Sequence, residues 1–418
     1  MDLKRLYPIL LIIFTNILGA GVIIPILPLY AEGQFQGTVV QITLLNTAFF
    51  GAQFLAAPWL GRLSDRYGRR PILMISQGGT VLAFLLFIAA GPIGRQIDAL
   101  GFALPLSGGM IMLYVARILD GITGGNITIA QAYVSDVTTQ KQRAQGLGLL
   151  QAAFGSGFVF GPAFGGVLSN LGISAPFIGA VIITTGTLIL TGFTLHESLP
   201  VEERTKDFSK ESLGPANRIL LFENPPLFLI LTVGFIGSLG FSAMTSTYAL
   251  FADHVVFAAP QYSGQIQMYI GLMLTFNGLM QIFTQLALLK PLVTRLGERL
   301  TLLIGQVSLM LAMFGLGSIS NPVGVTLLLA PFSFGQGVSE PNLQSLTTRF
   351  GTVRNRGRLL GLYQSARSMA LIISPIWAGF AFEAIRPQAV YLISGSLFML
   401  NLAFAFSLLR KELPAEVT

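Results

Sequence analysis

The hydrophobic positions of this chain fall in long runs that are separated by short polar stretches. A helix needs about 20 mostly apolar residues to cross the hydrocarbon core of a bilayer, and the runs have about this length. The pattern predicts twelve spanning helices, near residues 6–30, 40–60, 72–92, 110–134, 144–169, 174–196, 226–252, 265–289, 301–318, 324–347, 358–381 and 388–409. An even number of spans puts both termini on the same side of the membrane.

The composition agrees with a membrane protein. Charged residues make up 10% of the 418 residues and hydrophobic residues 53%, whereas a soluble domain usually carries about 25% charged residues. The first apolar run continues to Tyr30 without a small-residue cleavage site, which favours an uncleaved span over a signal peptide. There is no cysteine, and His196 and His254 have no ligand-spaced neighbours. We therefore expect no metal, no cofactor and no enzymatic activity.

The lysines and arginines test the topology independently. Of these 25 residues, 21 lie at the termini or in alternate connections, and only Arg95 and Arg386 lie on the opposite side. The remaining two, Arg117 and Arg367, lie inside predicted spans. The positive-inside rule then places both termini in the cytoplasm of a multi-pass protein of the cell inner membrane. The net charge of +7 reflects this topology, so membrane lipids are the expected charged partners and nucleic acid is not.

The two halves of the chain resemble each other. With an offset of 213 residues, five residues of the fifth span recur in the eleventh: Arg143, Gly148, Gln151, Pro162 and Gly166 align with Arg356, Gly361, Gln364, Pro375 and Gly379. With an offset of 229, the connection 61–70 aligns with 290–299. Many secondary transporters are duplicated in this way, with the substrate site between the halves. We predict six-helix bundles at 1–196 and 226–418, joined by a cytoplasmic loop at 197–225.

The connection between the second and third spans reads GRLSDRYGRRP over residues 61–71. It closely resembles the loop signature of the major facilitator superfamily. A glycine lets helix ends approach, an aspartate can accept hydrogen bonds from a helix N-terminus, and arginines pair with carboxylates or lipid phosphates. The resemblance implies a cytoplasmic conformational latch, and the alternative is a basic loop on anionic lipid. The predicted latch residues are Gly61, Asp65, Arg66, Gly68, Arg69 and Arg70.

The fifth span contains GSGFVFGPAFGG over residues 155–166, which resembles the antiporter signature of the drug:proton branch of that superfamily. Small residues let helix backbones touch and a proline bends a helix, although generic glycine packing is an alternative interpretation. The residues assigned to this packing are Gly157, Gly161, Pro162, Gly165 and Gly166. Residues 117–125 and 195–200 also resemble that branch. The resemblance implies an all-α integral membrane protein with the major facilitator fold, twelve helices in two pseudo-symmetric six-helix bundles, and a monomer.

Two positions depart from the pattern of the tetracycline-exporter-like members. Asn16 stands where those sequences carry an aspartate in the first span, and Thr294 occupies the position in the second half that aligns with Asp65. The first difference argues against tetracycline as the substrate and against a proton relay through the first span.

Four ionisable residues lie within predicted spans, where a charge costs at least about 2.5–3.5 kcal/mol. Arg117 and Asp120 are three residues apart and share a helical face. Asp120 is a candidate proton carrier tuned by Arg117, and a permanent ion pair is the alternative. Glu340 either faces water and substrate or only neutralises Arg367. Counting residues at 1.5 Å each, we predict that Glu340 and Arg367 reach salt-bridge distance or share a polar cavity in at least one transport state.

Polar side chains on the likely cavity helices are further candidates, because each is costly to leave unpaired in hydrocarbon. The predicted cavity and substrate residues are Asn126, Gln131, Thr245, Asn277, Gln281, Gln336, Glu340, Asn342 and Arg367. The leading functional hypothesis is proton-coupled efflux of an amphipathic small molecule or drug by alternating access. The alternative is a facilitator or importer of a metabolite, such as a sugar or an organic ion, without proton antiport.

Overall fold

The computed structural model describes residues 3–101, 105–139, 142–204, 224–262, 264–350 and 356–410, and this part of the chain is helical without any strand. Two short π-helical segments, Ala252–Val256 and Thr284–Leu288, adjoin the regular helices. The α-helices are α1 Leu3–Ile23, α2 Leu27–Phe35, α3 Val39–Tyr67, α4 Arg69–Ala99, α5 Gly108–Thr123, α6 Asn126–Val137, α7 Arg143–Leu168, α8 Ala175–Thr194, α9 Pro225–Phe251, α10 Ile266–Phe283, α11 Leu289–Leu316, α12 Pro322–Thr348, α13 Arg356–Ala384 and α14 Pro387–Leu409.

Ten of the predicted spans correspond to one helix each, and the first and fourth are each divided into two helices. The first span breaks between α1 and α2 around Pro25, because proline lacks the N–H of a helical hydrogen bond and clashes with the preceding turn. The fourth breaks at Gly124 and Gly125, where glycine weakens a helix by about 1 kcal/mol. The amide of Gln53 donates to the Gly124 carbonyl at 2.9 Å and so satisfies a backbone group at the break.

Within the described residues, nine helical segments are long and apolar enough to cross a membrane, and one of them, Ile266–Leu316, covers two predicted spans. The two predicted spans without such a segment are 110–134 and 324–347. These are the spans that contain Asp120 and Glu340. The fourth span is missing because its two helices, α5 and α6, are only 16 and 12 residues long, whereas α12 in the tenth span has 27 residues and is long enough but not sufficiently apolar.

The chain divides into two compact units, Met1–Ser209 with Ala259–Thr275 and Lys210–Ala258 with Phe276–Thr418. In the first unit α1 packs on α7 and α8, and α5 packs on α3 and α4. In the second unit α11 packs on α12 and α14, while α9 packs on α13 and α14. Each unit has its own apolar core, built around Ile9 and Leu73 in the first and around Leu227 and Leu346 in the second. The predicted bundle boundaries at 196 and 226 stay a prediction.

Glycines of α7 bring its backbone against α1. A Cβ atom added to Gly157 would lie 2.6 Å from the Phe14 carbonyl oxygen, and one added to Gly161 would lie 2.6 Å from the Gly21 Cα. A Cβ on Gly165 would collide with the Val22 carbonyl. On another side of α7, a Cβ on Gly166 would lie 2.8 Å from the Gln267 carbonyl oxygen of α10, and the Pro162 carbonyl lies against Gly271. Close backbone packing is thus confirmed for this segment, and its role in antiport stays a prediction.

Candidate functional site

Arg69, the first residue of α4, is the centre of an ionic network in the first unit. Its guanidinium contacts the Asp65 carboxylate at the end of α3 at 2.5 Å and the Asp136 carboxylate at the end of α6 at 3.1 Å. It also donates to the Ser64 hydroxyl at 2.7 Å, and the Ser198 hydroxyl donates to Asp136 at 2.9 Å. Because the Arg69 side chain is only 10% exposed, these partners hold a nearly buried charge at the junction of three helices.

The N-terminus of α4 is capped by Glu197, not by Asp65. The backbone N–H groups of Arg69 and Arg70 donate to the two Glu197 carboxylate oxygens at 2.8 and 3.2 Å. The sequence-based assignment of this role to Asp65 is therefore wrong, because Asp65 instead pairs with the Arg69 side chain. A negative charge at Glu197 complements the positive end of the α4 dipole. The segment after α8 is thereby attached to the start of α4.

The remaining latch candidates have different surroundings. Gly68 has φ +105°, which favours glycine, and a Cβ there would collide with the Glu197 carboxylate. Gly61 has open space around its Cβ direction among the described residues, so the prediction that it permits a close helix approach is wrong. The Arg66 guanidinium lies 5.4 Å from the Tyr67 ring centroid. The Arg70 side chain donates to the Gly192 carbonyl at 2.5 Å.

The aligned connection of the second unit also contains an ion pair. The Glu298 carboxylate lies 2.7 Å from the Arg349 guanidinium at the end of α12, and the Ser345 hydroxyl donates to Glu298 at 2.6 Å. Gly297 has φ +77° and aligns with Gly68. Both units thus have a glycine in the left-handed region followed by a charged residue that reaches across to another helix.

Arg117 and Asp120 form a loose ion pair within α5. The Arg117 Nη1 and Asp120 Oδ2 atoms are 3.7 Å apart, and the side chains are 15% and 10% exposed. Arg117 is also held by Asn46, whose Oδ1 accepts from it at 2.8 Å, and by the Phe49 ring, whose centroid lies 4.4 Å from its guanidinium carbon. The other Asp120 oxygen accepts a hydrogen bond from the Thr80 hydroxyl at 3.0 Å. The spacing correctly predicted the shared face.

Two further candidates of the first unit lie on α6. Asn126, at its first residue, donates to the Oδ1 of Asn16 on α1 at 3.1 Å, and both side chains are buried. The Asn16 amide nitrogen and the Asn126 amide oxygen have no partner in the part of the chain that the structure describes. Gln131 is half-buried, and its backbone carbonyl accepts from Ser135. The position that is acidic in tetracycline-exporter-like sequences is thus occupied by one half of an amide pair.

Glu340 of α12 and Arg367 of α13 form a short ion pair, with Glu340 Oε1 and Arg367 Nη1 2.8 Å apart. The Gln344 amide donates to the same oxygen at 2.9 Å, and the Tyr363 hydroxyl donates to Oε2 at 2.9 Å. The side chains of Glu340 and Arg367 are 23% and 30% exposed. The predicted salt-bridge contact is confirmed. Its role in transport stays a prediction.

A cavity within the second unit adjoins this ion pair. Its lining includes Gln336, Glu340 and Arg367, so three of the predicted residues meet there. The remaining lining residues are Gly234, Gly237, Ser238, Phe241, Gln306, Leu309, Ser339 and Leu343. The other four predicted residues of the second unit do not line it. The Asn277 side chain accepts from Ser333 at 2.6 Å, and Asn342 donates to its own helix at Val338; Thr245 donates to the Ser242 carbonyl, and Gln281 is half-buried.

Several residues of these sites were missed by the sequence-based prediction. Asp136 and Thr80 contact residues more than 30 positions away, and a single sequence does not pair them. Gln306 donates to the Ser339 hydroxyl at 3.1 Å and accepts from the Asn401 amide at 2.9 Å. One signal was available, because Gln306 is a polar residue within a predicted span and is as costly to bury as the residues chosen.

The long apolar helices and the ion pairs buried among them define a multi-pass membrane protein of the transporter class. Residues 9–269 and 255–418 match the family described as Major Facilitator Superfamily. The chain therefore belongs to this superfamily, and it is a transporter and not an enzyme. It has the fold predicted from the sequence, with twelve spanning segments in two pseudo-symmetric halves.

Relatives match over nearly the whole chain. The chain is 30% identical over 417 residues to "Tetracycline resistance protein, class D" of Salmonella ordonez, with 98% of each chain covered. It is 28% identical to "Multidrug resistance protein 2" of Bacillus subtilis, over 91% of this chain and 89% of that one. Among solved structures, the nucleoside transporter NupG superposes with a TM-score of 0.75 at 15% identity, covering 99% of this chain and 100% of that one. The last likeness concerns the fold alone.

Proposed function

We propose that this protein is a secondary active exporter that exchanges protons for an amphipathic small molecule by alternating access. It acts in the cell inner membrane with both termini in the cytoplasm. The names of its relatives, tetracycline and multidrug resistance proteins, support export of a drug-like compound. The 21-to-2 distribution of lysine and arginine supports the orientation.

The proposal of proton coupling is based on the buried pair of Arg117 and Asp120. A proton carrier has to be stable both charged and neutral, so its partners must not hold the charged form too firmly. Asp120 lies 3.7 Å from Arg117 and, within the part of the chain that the structure describes, accepts one side-chain hydrogen bond, from Thr80. Arg117 keeps its contacts with Asn46 and Phe49 whether or not Asp120 is charged. Protonation of Asp120 therefore leaves no guanidinium without partners.

Glu340 is less suited to carry the proton. Arg367, Gln344 and Tyr363 donate to its two oxygens at 2.8, 2.9 and 2.9 Å. Hydrogen bonds to a charged group contribute about 1.5–3 kcal/mol each, so adding a proton to this carboxylate would weaken three interactions at once. The comparison supports Asp120 as the carrier and Glu340 as a fixed charge.

The network around Arg69 fits the conformational latch. It joins α3, α4, α6 and the segment after α8 through Asp65, Asp136 and Glu197. We infer that its ion pairs are remade when the cytoplasmic side opens, since α3 and α6 end on that side and α4 begins there. The half-exposed Asp65 is the partner most easily released, because its side chain is 47% exposed.

A second candidate function is a facilitator that carries a metabolite without proton antiport. It is favoured by Asn16, an amide that stands where tetracycline-exporter-like sequences have an aspartate and that pairs with another amide, Asn126. If an aspartate at this position of the first span is required for proton coupling, this chain transports its substrate without proton coupling. The two functions differ in whether substrate movement is linked to protons.

The test uses everted membrane vesicles whose interior is acidified by respiration and reported by a pH-sensitive dye. Tetracycline, tetraphenylphosphonium and naphthalene-2-carboxylate are added in turn, and vesicles without the transporter serve as the blank. An antiporter releases protons when its substrate enters. Equilibration of a labelled compound without proton release would instead establish a facilitator.

The carrier is tested with Asp120→Asn, which should abolish proton release but permit exchange of labelled for unlabelled substrate. Asp98→Asn is the matched control, because Asp98 only caps the N-terminus of α5 through the Gly108 N–H at 2.6 Å and asparagine also caps helices. Undiminished proton release by Asp120→Asn would exclude Asp120 as the carrier.

A further inference from the structure

The cavity of the second unit has one apolar side and one polar side. Phe241, Leu309 and Leu343 provide large apolar side chains, and the Phe241 ring stacks on Phe332 with centroids 6.2 Å apart. Gly234 and Gly237 lie along α9 and contribute no side chain to the lining. The cavity has about 20 Å³ of accessible volume in this state, so the ring system of an amphipathic compound would contact these apolar residues when the cavity widens during alternating access, with its polar group on the opposite side.

On the polar side, most of the acceptor capacity of Glu340 is already used. A carboxylate has about four lone-pair sites, and three are taken by Arg367, Gln344 and Tyr363. Its charge is balanced by the guanidinium at 2.8 Å. A cationic ligand would have to displace Arg367 and leave that residue with an unpaired charge, which is costly in low dielectric.

The donor capacity of Arg367 is mostly unused. A guanidinium has about five N–H donors, and among the described residues Arg367 makes one hydrogen bond, to Glu340. None of its nitrogens is buried without a partner, in contrast to Nε of Arg117. With the side chain 30% exposed and part of the cavity lining, the remaining donors reach accessible space.

The neighbouring polar side chains of the cavity include two that are free to donate a hydrogen bond to a ligand. Gln336 and Ser238 line the cavity and have no side-chain hydrogen bond within the described ranges, and Ser238 is 6% exposed. The side-chain amide of Gln306 is engaged at both atoms, since its nitrogen donates to Ser339 and its oxygen accepts from Asn401. The polar side of the cavity therefore offers the unused N–H groups of one charged, donor-only side chain, Arg367, and beside it two neutral side chains that can also donate.

We propose that this cavity binds an acidic amphipathic compound, whose carboxylate or equivalent oxygen anion is held by Arg367 with help from Gln336 and Ser238. Glu340 is a positioning residue that fixes the guanidinium, and the apolar side receives the rings. The inference deepens the proposed export function by naming its substrate class: organic acids, in preference to the organic cations that an isolated acidic residue would select.

The test measures binding to the purified full-length protein in detergent by calorimetry, without any proton gradient. Three probes share one ring system and differ in charge: naphthalene-2-carboxylate, naphthalene-2-carboxamide and naphthalen-2-ylmethanaminium. The wild type should bind the carboxylate about 10-fold or more tightly than the amide, which corresponds to the lower end of what a hydrogen bond to a charged group contributes. Equal affinity for the two, or no binding of the carboxylate, would overturn the proposal.

Arg367→Gln should lower carboxylate affinity about 10- to 100-fold and leave amide affinity nearly unchanged. Arg386→Gln, the same change at an exposed arginine of the same unit, should alter neither. Glu340→Gln should retain carboxylate binding, since a glutamine oxygen can still accept from Arg367. If Arg367 recognises the carboxylate, Arg367→Gln should lose the preference for the carboxylate over the amide. If Arg367 has only a structural role, the variant should lose affinity for both probes.

Removal of one partner of the ion pair can prevent folding, so the double variant Glu340→Gln with Arg367→Gln is included. It has no uncompensated charge and should bind the amide but no longer prefer the carboxylate. An unchanged preference in this variant, or tight ammonium binding that Glu340→Gln removes, would refute the inference.

The binding result and the vesicle result are independent. Proton release driven by tetracycline or tetraphenylphosphonium without any carboxylate preference in binding would reject this substrate class and retain the exporter. Carboxylate binding that depends on Arg367 without proton release for any compound would retain the site and reject proton antiport.

Discussion

Replacement of Glu197 by alanine should destabilise the first unit through four backbone N–H groups. The Arg69 and Arg70 N–H groups at the start of α4 donate to its carboxylate at 2.8 and 3.2 Å. The N–H groups of Ser198 and Leu199 donate to it at 3.0 and 3.1 Å. The variant loses the side chain that holds the segment after α8 against the N-terminus of α4.

The expected cost follows from the two contacts between these elements. A partly buried N–H group that loses its partner costs about 1–3 kcal/mol, and an anion near a helix N-terminus contributes about 0.3–1 kcal/mol. Water can replace part of the lost bonding, because Glu197 is only half-buried. We therefore expect Glu197→Ala to lower the free energy of unfolding by about 2–4 kcal/mol. Glu197→Gln, which keeps one acceptor oxygen, should fall between this variant and the wild type.

Asp65→Ala should cost much less, although Asp65 belongs to the loop signature and Glu197 does not. The Asp65 side chain is 47% exposed, and a surface ion pair contributes about 0–1 kcal/mol. Arg69 would still contact Asp136 at 3.1 Å and Ser64 at 2.7 Å. Glu197→Ala should thus lower the free energy of unfolding more than Asp65→Ala, whereas the loop signature alone indicates the opposite order.

The free energy of unfolding can be measured by titration of purified variants with a denaturing detergent. Glu202→Ala is the control, because Glu202 is an exposed acidic residue five positions from Glu197. A loss for Glu197→Ala no larger than that for Glu202→Ala or Asp65→Ala would refute the assignment of Glu197 as the cap of α4.

Three further outcomes are expected from the same chain. Asp65→Asn should fold normally yet lower transport in the vesicle assay, and wild-type transport at wild-type expression would contradict the latch. Gly68→Ala should lower the free energy of unfolding by about 1–3 kcal/mol because of its positive φ and its collision with a carboxylate, whereas Gly61→Ala, in open space, should be nearly neutral. Gly165→Ala should separate α7 from α1 and destabilise by a similar amount, and Gly155→Ala, also in open space, is its control.

The apolar runs sufficed to predict the helices because a bilayer imposes a minimum length on each span. They did not predict that the first and fourth spans are each divided in two. Pro25 and Gly124 were visible in the sequence, but whether such a residue interrupts a helix depends on what satisfies the released backbone groups. In the fourth span the Gly124 carbonyl is satisfied by Gln53, and this partner follows only from the packing of α3 on α5.

The ion pairs within spans were predictable to different degrees. Arg117 and Asp120 are three residues apart, so helical geometry alone places them together. Glu340 and Arg367 were paired by depth, because two opposite charges at similar depth in hydrocarbon stabilise each other. Asp136 escaped prediction since it lies at a helix end, where a carboxylate is not costly and needs no partner to explain it. A functional charge is thus predictable where its solvation is expensive or where a motif includes it, and Asp136 satisfies neither condition.

The connection 290–299 in the second half of the chain keeps the ion pair of the first half, but the acidic and basic positions are exchanged. With the offset of 229, Arg69 aligns with Glu298, and with the offset of 213, Asp136 aligns with Arg349. The first pair is 3.1 Å apart and the second 2.7 Å. In the first unit the basic residue follows the glycine and the acidic residue lies at the end of α6. In the second unit the acidic residue follows the glycine and the basic residue lies at the end of α12.

An ion pair depends on the product of the two charges and not on their order, so the exchange should itself be tolerated. We expect Glu298→Arg and Arg349→Asp each to destabilise the second unit, because each places like charges about 3 Å apart in a partly buried site. The double variant should recover most of the loss, with a coupling of about 1–3 kcal/mol in detergent-titrated unfolding free energies. Arg295→Asp, a charge reversal at an exposed residue of α11, serves as the control for a reversed charge. The proposal would be wrong if the double variant lost as much unfolding free energy as the two single variants together. The second unit would then require each charge at its own position, and not only an ion pair.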